Sequence, residues 1–367
     1  MTDAPSALAE LRLAVQTSAA NDVVVLDVQG EPSVMVRIPK FRMSEVVDGG
    51  SDEVHPAFVV GGREVEEIWI SKYENCVRDG LAYSLPAVVP AGGISFDGAV
   101  AACEGKGPGW HLMTNAEWAA IALWCQRNGT LPYGNDHEGR DHRESVASAL
   151  PVPGGAGPTL TGTGPLRWTH DGTSGGIRGL RGNDCELVGG VRTVRGEIQV
   201  IPGNDAATGV DQAAASDAWR AVLPDGRLVA PGTAGTLRYV FSEGGAGSLG
   251  HGDHSFAGGV WTVGTDPAPQ ADACSFCEFA QIAAAPGVEI PEVLVALALF
   301  PAPGAVPDGK VFINAGAAEK IFNRAEAYNT SPGTAGMFYF SSNGDRDREH
   351  PNIGFRSAYL PDPSQRP

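Results

Sequence analysis

Glycine and proline interrupt this chain so often that long regular elements are excluded over much of its length. The sequence holds 49 glycines and 27 prolines in 367 residues, and they follow no repeat period. Both residues break helices and favour turns. After about residue 130, short apolar pieces such as 196–203 and 237–241 are separated by runs of Gly, Pro, Thr and Asn. The sequence therefore predicts short strands and many loops, with no internal repeat and no visible domain boundary.

Two helices stand out against this loop-rich background. Residues 114–129 begin with Thr114 and Glu117, which have the spacing of a capping box, and they end at Gly129, where a left-handed C-cap is favoured. A second helix is predicted at 95–107, because apolar residues recur there at helical spacing and glycines follow. The two helices supply apolar faces on which sheets can pack.

The N-terminal part predicts a short helix followed by strands. Residues 5–19 have apolar side chains at helical spacing, and three strands are predicted at 22–28, 33–41 and 66–74. We interpret 1–40 as an N-terminal helix-and-strand segment that would mediate assembly or self-association. The remaining residues, 41–367, would form one domain.

Charge and hydropathy exclude several classes of partner. The net charge is −17, whereas nucleic-acid binding and adsorption to anionic lipid both need a basic surface. The longest apolar stretch, 288–300, is too short to span a membrane and is interrupted by Pro291 and Glu292. The N-terminus lacks the basic region of a signal peptide. We expect a protein that is cytoplasmic or assembled onto a larger particle, with no nucleic-acid partner and no membrane insertion.

The six cysteines are scattered at irregular spacings, which is typical of small buried residues in a reducing compartment. One pair, Cys274 and Cys277, has the C-x-x-C spacing of a redox pair or half a zinc site. No second C-x-x-C motif or suitably spaced histidine pair accompanies it. The pair therefore remains an alternative candidate site.

A segment near the C-terminus has the composition of a recognition surface. Residues 322–352 are dense in Asn, Ser, Asp, Arg, Tyr and Phe, which supply adaptable polar contacts and rigid aromatic contacts. An apolar segment, 353–361, follows directly. Within it we expect Ile353 and Phe355 to be core residues and Arg356 to pair with a carboxylate or with carbonyl oxygens. This arrangement suggests recognition more than catalysis.

Four segments in one order resemble the formylglycine-generating-enzyme type of C-type lectin fold. They are 94–107, 110–122, 178–190 and 352–359, and the resemblance spans about residues 66–360. It implies an α+β fold with two helices, small antiparallel sheets and much irregular loop. The enzymes of this family carry catalytic cysteines near the C-terminal end, whereas residues 322–360 contain no cysteine. The resemblance therefore implies the fold without that catalytic chemistry.

Within that superfamily the chain is most similar to the variable proteins of diversity-generating retroelements, including phage and prophage relatives. These proteins display a diversified C-terminal segment on the ligand-binding face, which would be about 322–356 here. The resemblance implies a receptor-like or adhesin-like protein that binds a protein or glycan on a target surface and is not an enzyme. The candidate contact residues are Asn323, Arg324, Glu326, Tyr328, Asn329, Phe338, Tyr339, Phe340, Ser342, Asn343, Asp345 and Arg346.

The alternation of side chains along a strand limits which of these residues can face a ligand. Successive side chains of a strand point to opposite faces, so a single face would bury either Phe338 with Phe340 or Met337 with Tyr339. An ordinary glycine-rich loop with aromatic residues plugged into the core would also fit the composition.

Motifs for other chemistries are weak. The chain has no G-x-S-x-G elbow and no phosphate-binding G-x-x-x-x-G-K-[ST] motif. We expect no cofactor, although Asn204, Asp205 and Asp211 offer oxygens that would suit a structural calcium ion. Two alternatives to ligand binding stay open: a metal-dependent oxidase of the same fold that uses Cys274 and Cys277, and a structural phage tail component.

Overall fold

The computed structural model describes residues 21–146, 148–154, 157–243, 250–251, 254–255, 259–265, 274–316, 318–331 and 333–361. Strands and loops dominate these residues, and the α+β class predicted from the sequence is confirmed. The described α-helices are α1 (Met43–Val46), α2 (Phe96–Glu104), α3 (Asn115–Asn128) and α4 (Glu292–Ala296). Single turns of 3₁₀ helix occur at Pro56–Phe58, Leu166–Trp168, Asp205–Thr208 and Phe279–Gln281.

The strands are short. In chain order they are β1 (Asp22–Leu26), β2 (Pro32–Pro39), β3 (Val59–Val60), β4 (Arg63–Glu64), β5 (Glu67–Ser71), β6 (Asn75–Arg78), β7 (Leu81–Ser84), β8 (Trp110–Leu112), β9 (Cys185–Val194), β10 (Glu197–Val200), β11 (Arg220–Val222), β12 (Leu228–Val229), β13 (Arg238–Glu243), β14 (Gly250–His251), β15 (His254–Ser255), β16 (Gly259–Gly264), β17 (Cys274–Glu278), β18 (Ala283–Ala284), β19 (Lys310–Asn314), β20 (Lys320–Arg324), β21 (Phe340–Gly344), β22 (Ile353–Phe355) and β23 (Ser357–Tyr359).

Two sheets organise most of these strands. The smaller one has five strands in the order β1-β2-β5-β23-β8, and all its pairs are antiparallel. The larger one has twelve described strands along the path β17-β19-β21-β20-β9-β10-β13-β16-β18, with β11, β12 and β22 attached to it. The pairs β19–β21, β9–β22 and β16–β18 of this sheet are parallel. The sheet is therefore larger than expected and is mixed.

Helix α3 forms as predicted and lies in the centre of the main core. Thr114 accepts the backbone N–H of Glu117, the Glu117 carboxylate accepts the N–H of Thr114, and Gly129 ends the helix with φ 66°. The Trp118 indole N–H donates to the carbonyl of Met337 at 2.9 Å. Polar residues such as Asn115 are buried as well as the predicted apolar stripe, because the helix is covered on more than one side.

The C-terminal segment joins the two sheets. Strand β22 pairs with the start of β9 in the larger sheet, and β23 lies between β5 and β8 in the smaller one. Arg356 sits between these strands and is 1% exposed. It forms a two-bond ion pair with Glu186, at 2.5 Å for each bond, and donates to the carbonyls of Ser71, Arg178 and Gly179. The predicted core positions of Ile353 and Phe355 are confirmed, as is the predicted pairing of Arg356 with a carboxylate and with carbonyl oxygens.

The N-terminal strands belong to the smaller sheet. Strand β2 pairs with β5 from Met35 to Pro39, and β1 forms the outer edge next to β2. Strands β1 and β2 thus belong to the same sheet as strand β23. The helix expected at 5–19 lies outside the described residues.

The described helices are short in comparison with a membrane span. None of them combines the length and the apolar character that crossing a bilayer requires.

Candidate functional site: a cleft at the C-terminal strands

A cleft of about 510 Å³ opens beside the outer strands of the larger sheet. We call it the C-terminal cleft. Strands β17, β19, β20 and β21, the start of β9 and the loop before β22 supply its lining. Eleven of its fourteen lining residues lie within 322–356, the segment that the sequence analysis singled out.

The aromatic wall of the cleft comes from β17 and β19. Phe276 and Phe312 are paired across these antiparallel strands, with ring centroids 4.4 Å apart and planes inclined by 55°. The flanking residues Val311 and Ile313 point to the opposite side and are fully buried in the main core. The two-residue period of the strands thus separates a cleft face from a core face.

The same period sorts the candidate contact residues on β20 and β21. Asn323 and Asn343 line the cleft, whereas Arg324 and Ser342, one position away from them, are fully buried behind the sheet. The pairing of β20 with β21 shifts register between Ile321 and Asn323. This irregularity lies where the strand reaches the cleft, a common position for bulges that redirect a side chain.

The strand β20 ends in a strained turn at the cleft. Ala325 has φ 71° and Glu326 has φ 69°, so two consecutive non-glycine residues adopt the left-handed conformation. Each costs about 1–3 kcal/mol and persists only where surrounding contacts hold it. The turn places the Glu326 carboxylate in the cleft, where it accepts the Ala327 N–H at 3.2 Å and the Cys185 thiol at 3.7 Å.

Tyr339 and Cys185 form the deep part of the cleft around Glu326. Burial is the main cause that raises the pKa of the Tyr339 hydroxyl well above its usual value, and the charge of the Glu326 carboxylate is the second cause. The same two causes raise the pKa of the Cys185 thiol. Both groups therefore stay protonated at neutral pH, and neither has the ionised form that a nucleophile requires.

Amide side chains complete the cleft. The Asn314 amide donates to the Asn343 oxygen at 2.9 Å, and the Asn352 amide donates to the Asn329 oxygen at 3.1 Å. Asn323 is only 5% exposed, and its side-chain oxygen has no hydrogen-bond partner among the described residues. A buried acceptor without a donor costs about 1–3 kcal/mol, which a bound ligand that supplies a donor would recover.

The structure divides the twelve candidate contact residues into three groups. Five of them line the cleft: Asn323, Glu326, Asn329, Tyr339 and Asn343. Four are buried away from it, which corrects the expectation that they contact a ligand: Arg324, Phe338, Phe340 and Ser342. The remaining three lie elsewhere: Tyr328, Asp345 and Arg346.

Each residue outside the cleft has another structural role. Phe338 and Phe340 pack with Phe279 in the core. Met337 and Tyr339 are buried as well, so the expected choice between the two pairs is wrong, because β21 begins only at Phe340 and strand alternation does not extend to 337–339. Tyr328 packs against Gly157, and Asp345 forms an ion pair with Lys320 at 2.6 Å. Arg346 is held by three acceptors: Asp97, Glu319 and the carbonyl of Gln212.

Several cleft residues are not among the contact residues predicted from the sequence. Ser341, Arg348, His350 and Asn352 lie within 322–356, and Ile353 lines the cleft although it was expected to be framework only. Alternation with Asn343 along β21 would have indicated Ser341. Phe276 and Phe312 had no local signal, because only the strand order β17-β19-β21-β20 brings them beside the C-terminal segment.

The Cys274–Cys277 pair does not converge. Both residues lie on β17, and their odd separation places the thiols on opposite faces of the strand, with Cys277 towards the core. Burial raises the pKa of Cys274 to about 11 and that of Cys277 to about 12. This geometry does not suit two thiolates that bind one metal ion.

The calcium candidates are engaged in separate local contacts. Asn204 accepts the hydroxyl of Thr114 and donates to Glu117, and the Asp205 carboxylate accepts the N–H of Gly61 at 2.6 Å. Asp211 accepts the N–H of Ala213 within its own loop. These three side chains therefore do not form a shared oxygen cage of the kind that calcium requires.

A second cluster, Asp136, Asp141 and His142, has metal-ligand residue types within 4.8 Å of one another. Its carboxylates are already neutralised, since Arg143 forms two bonds to Asp141 and Arg181 donates to Asp136 at 3.2 Å. His142 donates to Asp136 as well. The cluster is best described as the hydrogen-bonded centre of a loop.

Another cleft, of about 500 Å³, lies between β2 and α3. We call it the β2–α3 cleft. Its volume matches that of the C-terminal cleft, so size does not distinguish them. Its charged groups already have partners: Arg127 pairs with Asp48, and Lys40 pairs with Glu64 and Glu66. The C-terminal cleft is therefore the stronger candidate for a ligand site.

No protein-family model matches the chain, and a comparison with curated proteins finds no similar sequence.

Proposed function

We propose that this protein is a ligand-binding protein whose C-terminal cleft receives a protein or glycan on a target surface. The observation that carries the proposal is the buried Asn323 oxygen, which lacks a donor in a cleft lined by amides and aromatic rings. Such a combination of a few fixed polar groups with aromatic contact area is typical of recognition sites. The protonated state of Tyr339 and Cys185 favours binding over nucleophilic catalysis.

The architecture supports a role in which a substitutable cleft lining is presented on a fixed core. Most of the cleft lining belongs to 322–356, while the core faces of β19, β20 and β21 and the Arg356 junction hold the fold together. Substitutions of the polar side chains of the cleft would therefore change recognition while leaving these core contacts in place. We propose accordingly that the fold is of the C-type-lectin type and that 322–356 is the diversified segment of a retroelement variable protein. A phage-assembled location belongs to the same proposal.

The test is a binding screen with structure-matched variants. A displayed peptide library and a glycan array would be screened with the wild-type protein, and the hits would be measured again with Asn329→Ala/Asn343→Ala. Both residues line the cleft, and their side chains make only rim contacts. Ser331→Ala is the control, because Ser331 is exposed in the same segment but does not line the cleft.

We expect the hits to bind the control as they bind the wild type and to bind the double variant about tenfold or more weakly, since two hydrogen-bonding amides are lost. Hits that bind all three proteins equally would contradict a recognition role for this cleft. A near-copy of codons 322–356 beside a reverse-transcriptase gene, differing only at adenines, would test the retroelement part separately.

A further inference from the structure

We infer that the C-terminal cleft recognises a carboxylate of a peptide, next to an apolar side chain of that peptide. This inference rests on the proposed function and specifies its ligand. The carboxylate would lie at the rim between Arg348 and His350, and the apolar side chain would lie against the wall formed by Phe276 and Phe312.

The loop that precedes β22 turns its basic residues towards the cleft. Its sequence alternates acids and bases, and Arg348 and His350 line the cleft whereas their exposed neighbours Asp347 and Glu349 do not. Two earlier residues of the loop, Asp345 and Arg346, are held by other partners. The titratable residues of this loop that line the cleft are thus both of the basic type, although the net charge of the protein is −17.

Arg348 is available to a ligand. It is exposed and forms no salt bridge with any residue that the structure describes. Burial raises the pKa of the Cys185 thiol, and the Arg348 charge acts on it in the opposite sense. A guanidinium presents paired donors that match the two oxygens of a carboxylate.

His350 supplies a second donor beside Arg348. Its Nδ1 accepts the backbone N–H of Asn352 at 3.3 Å. In the neutral ring the proton must therefore be on Nε2, which makes that atom a donor. Arg348 and His350 thus both offer hydrogen-bond donors to an anion at the rim of the cleft.

The aromatic wall favours a peptide over an acidic sugar. The phenyl rings of Phe276 and Phe312 carry no polar atom, so they suit an apolar side chain better than the hydroxyls that cover a sugar. Deeper in the cleft, the Asn323 oxygen is an acceptor that suits a peptide N–H. A cation and donors at the rim, with an acceptor inside, match a short peptide that runs from the floor of the cleft to its rim.

The test uses small probes with and without the carboxylate. Ligand-observed NMR titrations would compare N-acetyl-phenylalanine with its amide, N-acetyl-phenylalanyl-aspartyl amide with its asparaginyl counterpart, and N-acetylneuraminic acid as an acidic sugar. The proteins would be the wild type, Arg348→Gln and Arg63→Gln. Arg63 is an exposed arginine on β4 outside the cleft, so its variant changes the net charge equally.

We expect at least one peptide carboxylate to bind about tenfold more tightly than its amide, and Arg348→Gln but not Arg63→Gln to abolish the difference. Whichever peptide binds shows whether a chain terminus or an acidic side chain is preferred. Equal binding of acid and amide, absence of binding by both acids, or tighter binding of the acidic sugar would overturn the inference. The proposed function would survive any of these results if library hits still depended on Asn329 and Asn343.

Discussion

Asn323 and Arg324 are neighbours on β20, yet the first lines the C-terminal cleft and the second is fully buried behind the sheet. The Arg324 guanidinium donates to the Asn115 side chain at 3.0 Å and to the carbonyls of Leu297 and Ala298 at 3.2 and 3.3 Å. Burial lowers its pKa to about 9, so it remains charged at neutral pH. Alternate residues of β20 thus face the cleft and the core.

This relationship predicts opposite outcomes for two adjacent substitutions. Arg324→Met leaves buried acceptors without a donor and should lower the free energy of unfolding by about 3 kcal/mol or more. Asn323→Ala removes an oxygen that has no partner among the described residues, and because this gain offsets the packing lost with the side chain, it should change the free energy of unfolding by less than about 1 kcal/mol. Denaturant unfolding measures both values. Equal destabilisation by the two variants would contradict the division of β20 into a cleft face and a core face.

The junction between the sheets should depend on the ion pair of Arg356 with Glu186. Arg356→Met leaves the Glu186 carboxylate buried without its partner, and we expect a loss of about 3–5 kcal/mol. Adding Glu186→Gln to this variant removes the orphaned charge and should restore part of the loss. The same unfolding measurement applies, and a double variant no more stable than Arg356→Met would argue against the charge as the cause.

The buried carboxyl of Asp184 should reduce stability as the pH rises. Burial, together with the smaller effect of the Glu186 charge, raises the pKa of Asp184 to about 7, which is above its value in the unfolded chain. The folded state therefore holds this proton more strongly, and stability is lost as the pH rises through 7. Asp184→Asn cannot ionise, so its stability relative to the wild type should increase by about 2 kcal/mol between pH 5 and pH 8. A difference in unfolding free energy between Asp184→Asn and the wild type that stays constant across this pH range would refute the prediction.

His55 should make the folded protein less stable as the pH falls. Burial lowers the pKa of His55 to about 4, and its Nδ1 accepts the Ala57 N–H while Nε2 lies 2.8 Å from the Ala296 carbonyl. The folded state binds the neutral ring, so this contribution is present above about pH 6.5 and is lost as the pH falls towards 4. The stability advantage of the wild type over His55→Asn should therefore shrink by about 2 kcal/mol between pH 7.5 and pH 5. Other titrating groups are common to both proteins and cancel, so an unchanged advantage would exclude a buried neutral histidine.

Local signals predicted part of this fold well. The capping box at Thr114 and Glu117 and the glycine at 129 bound α3 because all three act within one helix. The role of Arg356 followed from the preference of a buried guanidinium for carboxylate and carbonyl oxygens.

Long-range pairing explains what the sequence did not reveal. Phe276 and Phe312 reach the cleft only because β17, β19 and β21 are adjacent in the larger sheet, and no local pattern encodes that order. Composition predicts Ser342 as a contact residue, but composition does not reveal the strand register. A shift by one position exchanges the two faces of a strand, and Ser342 is on the buried face. The left-handed turn at Ala325 and Glu326 was likewise invisible, since neither residue favours that conformation.

The most direct test of the central claim is hydrogen–deuterium exchange of the protein with and without its strongest library hit. The account predicts that protection appears at 323–329, 339–343 and 348–353, the segments that line the C-terminal cleft. Protection confined to 36–46 and 121–128, beside the β2–α3 cleft, would place the ligand at the other site and contradict the account.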